Sequence, residues 1–389
     1  MAFLGLRGTG DFATNERPQN FREYILWRNP NGSAALTALL AKSRTESTND
    51  PQFHWWEEEN TIIRVVLNGA IADGVTTAFT LASGGNNLVP GDLLLVESGD
   101  TGNEEIVEVS SVTSDTAITV IRGAAGTTAA AIADATGLLK IGNAYAEGTV
   151  SPSVSARNPT GLTNYCQIFK TAYELTKTAE KTHTRTGDPL SNDKKRKMFD
   201  HSVALEHSLL YGMPSEVVGS NGKPKRTTGG LRYFIQTNRT VFTAAITQDS
   251  FINAVAPVFD FDTNAGNERL CLCGNGALTA LNKLAAAQGQ VKFAEVVKLY
   301  GMALQRWVMP QGSLLLRTHP LMNVHPTFTN SMFVIDPSSI IVRALRDTRS
   351  MDNIQANDED THKGQWLSEI GYEVHHERAM AYLGNVTYP

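Results

Sequence analysis

His375, His376 and Glu377 come closest in this chain to a metal-binding or catalytic set. A helical zinc hydrolase needs His-Glu-x-x-His, so that both rings meet the metal and the glutamate polarises its water. Here the histidines are adjacent and the glutamate follows them. Neighbouring side chains on a strand point to opposite faces, so one metal does not easily take both rings. His319 and His325 sit in Thr-His-Pro-Leu-Met-Asn-Val-His-Pro, a loop pattern. Spacing permits a cluster of three histidines but does not require one. Glu57-Glu58-Glu59 places paired carboxylates beside Trp55 and Trp56, and reads more simply as a solvated strand end. No Gly-x-Ser-x-Gly nucleophile context occurs.

The remaining candidates have plain structural readings. Lys223–Gly230, KPKRTTGG, carries its glycines after the basic residues, whereas a phosphate loop needs them before a lysine that opens a helix. It reads as a loop leading into a strand, LRYFI. Cys271 and Cys273 alternate with leucine and share one face of a predicted buried strand; with Cys166 they make an odd count, which is no disulfide framework. No second cysteine pair exists to complete a metal site. Lys194-Lys195-Arg196-Lys197 falls near the start of a predicted helix, where positive charge opposes the helix dipole. Compensation by solvent, by a neighbour's carboxylates or by nucleic acid all fit. His201 and His207 on that helix read as structural histidines. The expectation is therefore no catalytic, cofactor-binding or metal residue and no cofactor.

The elements around these residues follow from periodicity. Ser33 caps a short helix, AALTALLAKS, too short to persist alone in water. Phe53, Trp55, Ile62, Ile63, Val65 and Val66 give a strand signature. Between 66 and 143, short apolar runs separated by Asn86-Asn87, Pro90-Gly91, Gly99-Asp100 and Gly123 predict a small β-barrel or sandwich. That segment holds nine acidic and two basic side chains, a net of −7 within a chain of −5. Glu97, Glu104, Glu105 and Glu108 are expected to face water. Tyr165, Gln167, Phe169, Tyr173 and Leu175 alternate as strands. Asp188-Pro189 opens a helix of about 20 residues with Ser191 as its expected cap and Gly212 as its stop. Helices are predicted over 247–256, 276–288 and 294–308, the last as a helix or a helix-to-strand transition. Strands are predicted at ERLCLCG, LLLRTHP, MFVIDPSSI and IVRAL. The sum is an α+β body.

Composition narrows the class. Charged residues are only 19% of 389, a balance that fits a surface largely covered by partners as well as a β-rich secreted protein. Nothing in a net charge of −5 suggests a dedicated sequence-reading nucleic-acid protein. MAFLGLRGTGDF lacks the apolar core of a signal peptide, and no apolar run reaches 18 residues, so folding in a cytoplasm and no membrane helix are expected.

In order, FHWWEEE, GDLLLVES with GTTAAA, NYCQIFKTAYELTKTA, KRKMFDHSVALEHSLLYG, TTGGLRYFI and GYEVHHERAMAYLGNV form a set that resembles the major capsid proteins of tailed bacteriophages, in the group that includes phage SU10. The resemblance spans most of the chain and implies the HK97-like capsid fold. It implies an N-terminal arm at 1–52, an extended E-loop hairpin at 53–66 with 144–186, and an inserted acidic β domain at 67–143. It also implies a peripheral domain at 187–243 and 326–389, with a spine helix at 189–212, and an axial domain at 244–325. The implied function is an icosahedral shell of hexamers and pentamers around double-stranded DNA. Neighbouring subunits, portal, scaffolding and decoration proteins are the implied partners, with non-specific DNA contact, no membrane contact and a place in the virion. An encapsulin-like protein cage shares the fold; a metal-dependent enzyme and a secreted adhesin are further alternatives. Some relatives weld subunits through a lysine–asparagine bond; Lys170, Lys177, Lys181 and Asn385 are the candidates here, and no cross-linking is expected.

Overall fold

The computed structural model describes residues 44–58, 63–99, 104–152, 158–261, 263, 266–287, 294–299 and 302–388. The expected helix at 34–43, Glu59, Asp100 and most of the expected arm lie outside them. The chain divides into two compact units, one of residues up to Trp55 with those from Leu162 onward, the other Trp56–Gly161.

The smaller unit is a barrel. Six strands pair in the order Arg64–Val66, Gly137–Asn143, Asp92–Val96, Ile106–Ser114, Ala117–Ala124 and Ala78–Thr80. The first and last strands then meet. Leu67 bridges Leu81, and Asn68 N donates to Thr80 O at 2.9 Å while Ala82 N donates to Val66 O at 2.8 Å. Closure removes the unpaired edges that make an open sheet prone to aggregate. Alternation turns Leu94, Val96, Val107, Val109, Ile118, Val120 and Leu138 inward, all at most 2% exposed. Two expectations change here. Arg64–Val66, assigned to the hairpin limb, belongs to the barrel sheet. Glu105 does not face water: it is buried because Arg122 lies against it at 2.6 Å and the N–H groups of Gly123 and Ala130 donate to it.

The larger unit holds two main sheets. Four strands run in the order Thr45–Ser47, Ile340–Met351, Thr361–Val374 and Gln167–Thr176. Seven run in the order Arg239–Val241, Ala381–Gly384, Met332–Ile335, Glu268–Cys273, Ser313–Thr318, Met302–Val308 and Ala294–Leu299. Helices Gln248–Val255 and Asn275–Ala287 supply Phe251, Val255, Leu281 and Leu284 to a core shared with Cys271, Cys273 and Leu316. The helix Pro189–Tyr211 packs on the four-stranded sheet through His201, Leu205, Leu209 and Leu210, the face that its i, i+4 spacing predicts. Burying each of these leucines stabilises by roughly 1.5–3 kcal/mol.

Several expected elements differ. Asp188, not Ser191, caps the long helix, its carboxylate accepting from Leu190 N and Ser191 N, because Pro189 already occupies the first helical position. Residues 294–308 form two antiparallel strands rather than a helix, since Ser313–Thr318 offers an edge for Met302–Val308 to join. LRYFI starts as a helical turn, Leu231–Phe234, and part of the expected loop at 223–230 is a strand, Pro224–Thr227, in a hairpin with Ser215–Val218. Among the described residues the expected long hairpin pairs only over a short stretch. Gln52–Glu57 joins Thr160–Tyr165, but Gln167–Thr176 leaves to pair antiparallel with Thr361–Val374. The expected boundary at 325/326 does not separate sheets, because Met332–Ile335 lies directly beside Glu268–Cys273.

Candidate assembly surfaces and the buried polar network

The structure sets the two adjacent histidines apart. His375 follows the end of Thr361–Val374, and its N–H donates to Ser339 O at 2.9 Å. Its ring stands 3.5 Å from Glu373 and 5.9 Å from the Trp55 ring. His376 is not on a strand: at φ 53° it starts a tight turn, so the two rings diverge to 6.4 Å for a reason the sequence did not suggest. Glu377 accepts from Gln236 N at 3.0 Å, Thr237 N at 3.2 Å and the Thr237 hydroxyl, tying the turn to the segment after Leu231–Phe234. Burial pushes the Glu373 carboxyl upward, but hydrogen bonds from His375 and Arg343 outweigh it and hold the group below its ordinary range. Arg343 also pairs with Glu46, fastening Thr45–Ser47 to the sheet.

The other candidates do not converge either. His325 stacks on Phe328 at 4.5 Å on the surface, whereas His319 is fully buried against Glu206 at 2.6 Å. Among the described residues no group of three or more His, Cys, Asp or Glu side chains is placed to hold a metal ion. Glu57 and Glu58 border the short two-stranded sheet at its exposed end. His201 is satisfied on both sides, by Ser368 at 2.7 Å and Thr171 at 3.1 Å. Three of the four side chains of the basic run are paired within the chain: Lys194 pairs with Asp352 at 3.0 Å and lies over the Trp366 ring, Arg196 pairs with Asp193, and Lys197 with Asp200, while Lys195 is exposed. Burial, then the Glu369 charge, pushes the Cys166 thiol up to about 12, and burial also raises Cys271, so both are inert. Lys177 pairs loosely with Asp360 at 3.4 Å, and the Asn385 amide donates to Phe242 O at 2.7 Å.

Two groups that the sequence did not single out hold the larger unit together. Asn164 is fully buried. Its amide donates to Tyr372 O at 2.7 Å, Gly229 O at 3.1 Å and Thr228 Oγ1 at 3.2 Å, and its oxygen accepts from Gly229 N at 2.7 Å and Tyr165 N at 2.8 Å. Three segments therefore meet on one side chain. Glu206 is the second. Its place one residue after Leu205 and three before Leu209 puts it on the apolar helix face, a signal legible in the sequence. At the same junction Gly230 N donates to Gly212 O at 3.0 Å, and a Cβ on Gly230 would lie 2.5 Å from the carbonyl oxygens of Ser208 and Leu209. Only glycine fits this crossing, which explains the Thr-Thr-Gly-Gly pattern without any phosphate.

What remains at the surface is built for contact. Phe53 and Trp55 point into the core from the two-stranded sheet, while His54 is exposed and Trp56 is 68% exposed. The hairpin Ser215–Val218 with Pro224–Thr227 is a separate two-stranded sheet, with Val217 54% and Val218 79% exposed.

The architecture is that of phage-type shell proteins. The capsid of an empty GTA particle superposes with a TM-score of 0.51 at 10% identity over 98% of this chain and 99% of that one. The capsid of a native GTA particle gives 0.50 at 10% identity over 98% and 100%. These likenesses establish an α+β fold of the HK97-like capsid class. The chain belongs to the SU10 major capsid protein family, whose model matches residues 7–387. A relative, the major capsid protein of Pseudomonas phage PaMx41, is 26% identical over 346 residues, covering 85% of this chain and 81% of the relative. The chain is thus a structural subunit that self-assembles into the icosahedral shell of a phage virion.

Proposed function

We propose that the parts of this chain divide the work of building that shell. Residues 1–52 act as an arm anchored by Thr45–Ser47, and the segments about Gln52–Glu57 and Thr160–Tyr165 form the root of the E-loop. Pro189–Tyr211 is the spine helix. The four-stranded sheet belongs to the peripheral domain. The seven-stranded sheet forms the axial domain, which then takes Met332–Ile335 and Ala381–Gly384 as well as 244–325. Hexamers and pentamers of the chain enclose double-stranded DNA with non-specific contact, and portal, scaffolding and decoration proteins complete the particle.

One observation carries the reading: Trp56 stands outward on a two-stranded sheet that, among the described residues, has no further strand beside it. Two strands alone are marginal in water, and an uncovered tryptophan there marks a surface for a neighbour. The chain expressed alone should form rings or shells visible by electron microscopy. Trp56→Ala should leave the subunit folded but lower the yield and heat resistance of shells. A wild-type chain that stays a compact monomer up to millimolar concentration in solution scattering would refute the reading.

A further inference from the structure

Part of the barrel's outer wall is a patch of apolar cross-strand neighbours. Leu93 lies opposite Glu108, and Glu108 lies opposite Ile121, so three adjacent strands set these side chains in one row. A second row joins Leu139, Leu95 and Ile106. Ile121 is 51% exposed, and Leu93, Leu95, Glu108 and Leu139 are only half-buried. The inward residues already fill the barrel core, so this wall adds nothing to it. A contiguous apolar wall on so small a domain marks a contact surface. It is also acidic. The unit 56–161 carries thirteen acidic and four basic side chains, a net of −9, which leaves +4 for the rest of the chain. Arg64, Arg122 and Lys140 are already paired, with Glu97, Glu105 and Asp92. Among the described residues no cation pairs with Glu108.

The lone hairpin of the larger unit has the complementary surface. Val217 lies opposite Lys225, so an exposed apolar side chain and a cation share one face. Arg226 pairs with Glu216 on the other face, whereas no carboxylate among the described residues pairs with Lys225. The cross-strand pair Ile121 and Glu108 on the barrel thus matches the cross-strand pair Val217 and Lys225 on the hairpin, apolar to apolar and anion to cation. Opposite charges at such a contact fix its register and exclude like-charged alternatives.

We propose that the hairpin Ser215–Thr227 of one copy seats on the outer wall of the barrel, at Leu93, Glu108 and Ile121, of a second copy. The proposal rests on self-assembly of the chain and assigns a docking surface to the barrel. Co-expressing a Lys225→Cys chain with a Glu108→Cys chain and oxidising the particles tests it. Because the two cysteines are on different chains, the expected product is a reducible band at twice the chain mass, absent when either variant is expressed alone. Lys225→Glu should abolish shells, and adding Glu108→Lys should restore them. Three results overturn the proposal: shells that form normally without the cross-link, a cross-link seen only when both cysteines are in one chain, or normal shells from Lys225→Glu. Absence of shells from the wild-type chain counts instead against the assembly reading itself.

Discussion

Asn164→Ala is the sharpest test of how the larger unit is held. The side chain makes five hydrogen bonds to three segments, two of them at 2.7 Å, to Tyr372 O and from Gly229 N. Alanine removes the whole amide in a site with no exposed surface. A buried donor or acceptor left unpaired costs roughly 1–3 kcal/mol. With at least the Gly229 N–H and the Tyr372 carbonyl orphaned, the expected loss is about 2–6 kcal/mol. Asn164→Asp should be worse although it conserves shape. The acid keeps the acceptor side but aims an oxygen, and a buried charge, at the carbonyls of Tyr372 and Gly229. Urea unfolding of unassembled subunits, followed by tryptophan fluorescence, reads both losses as shifts of the midpoint at unchanged slope. Two variants within about 0.5 kcal/mol of the wild type, or an aspartate variant milder than alanine, would show that Asn164 is not the junction.

Three further outcomes are expected. Glu206→Leu and His319→Leu should each destabilise by roughly 1–3 kcal/mol, because each leaves a buried hydrogen-bond partner unpaired, while Glu206→Leu with His319→Met should recover most of that loss in the same urea assay. Gly230→Ala should cost roughly 1–3 kcal/mol by pushing against the carbonyls that end the long helix; Gly230 has φ −106°, so the loss is steric and owes nothing to left-handed backbone. In the barrel, burial raises the Glu105 carboxyl, but the Arg122 guanidinium and two backbone N–H groups win and hold it below its ordinary range. A depressed carboxyl contributes stability that is present above its unfolded pKa, about 4.3, and is lost as pH falls through the lower folded value. Barrel melting should therefore decline below about pH 4 in the wild type, and this decline should be shallower in Glu105→Gln when followed by calorimetry.

Local patterns made much of the fold legible. Asp188-Pro189 and Gly212 bracket the long helix, and the alternation in 66–143 identifies the barrel strands, because caps, turns and side-chain periods act within a few residues. The failures share a cause. Residues 294–308 have helical composition, yet the open edge of Ser313–Thr318 draws them into a sheet. Glu105 sits among surface-type acids, and only pairing with Arg122, 17 residues later and on the adjacent strand, buries it. The candidate site follows the same rule. Trp56 was visible as an aromatic beside acids, but its exposure depends on which face Phe53 and Trp55 turn to the core. Asn164 looked like one more polar residue in a strand. Its partner Tyr372 lies 208 positions away, and no periodicity of either segment records that the two must meet. A residue that joins distant segments is defined by the fold, so it becomes readable only once the fold is known.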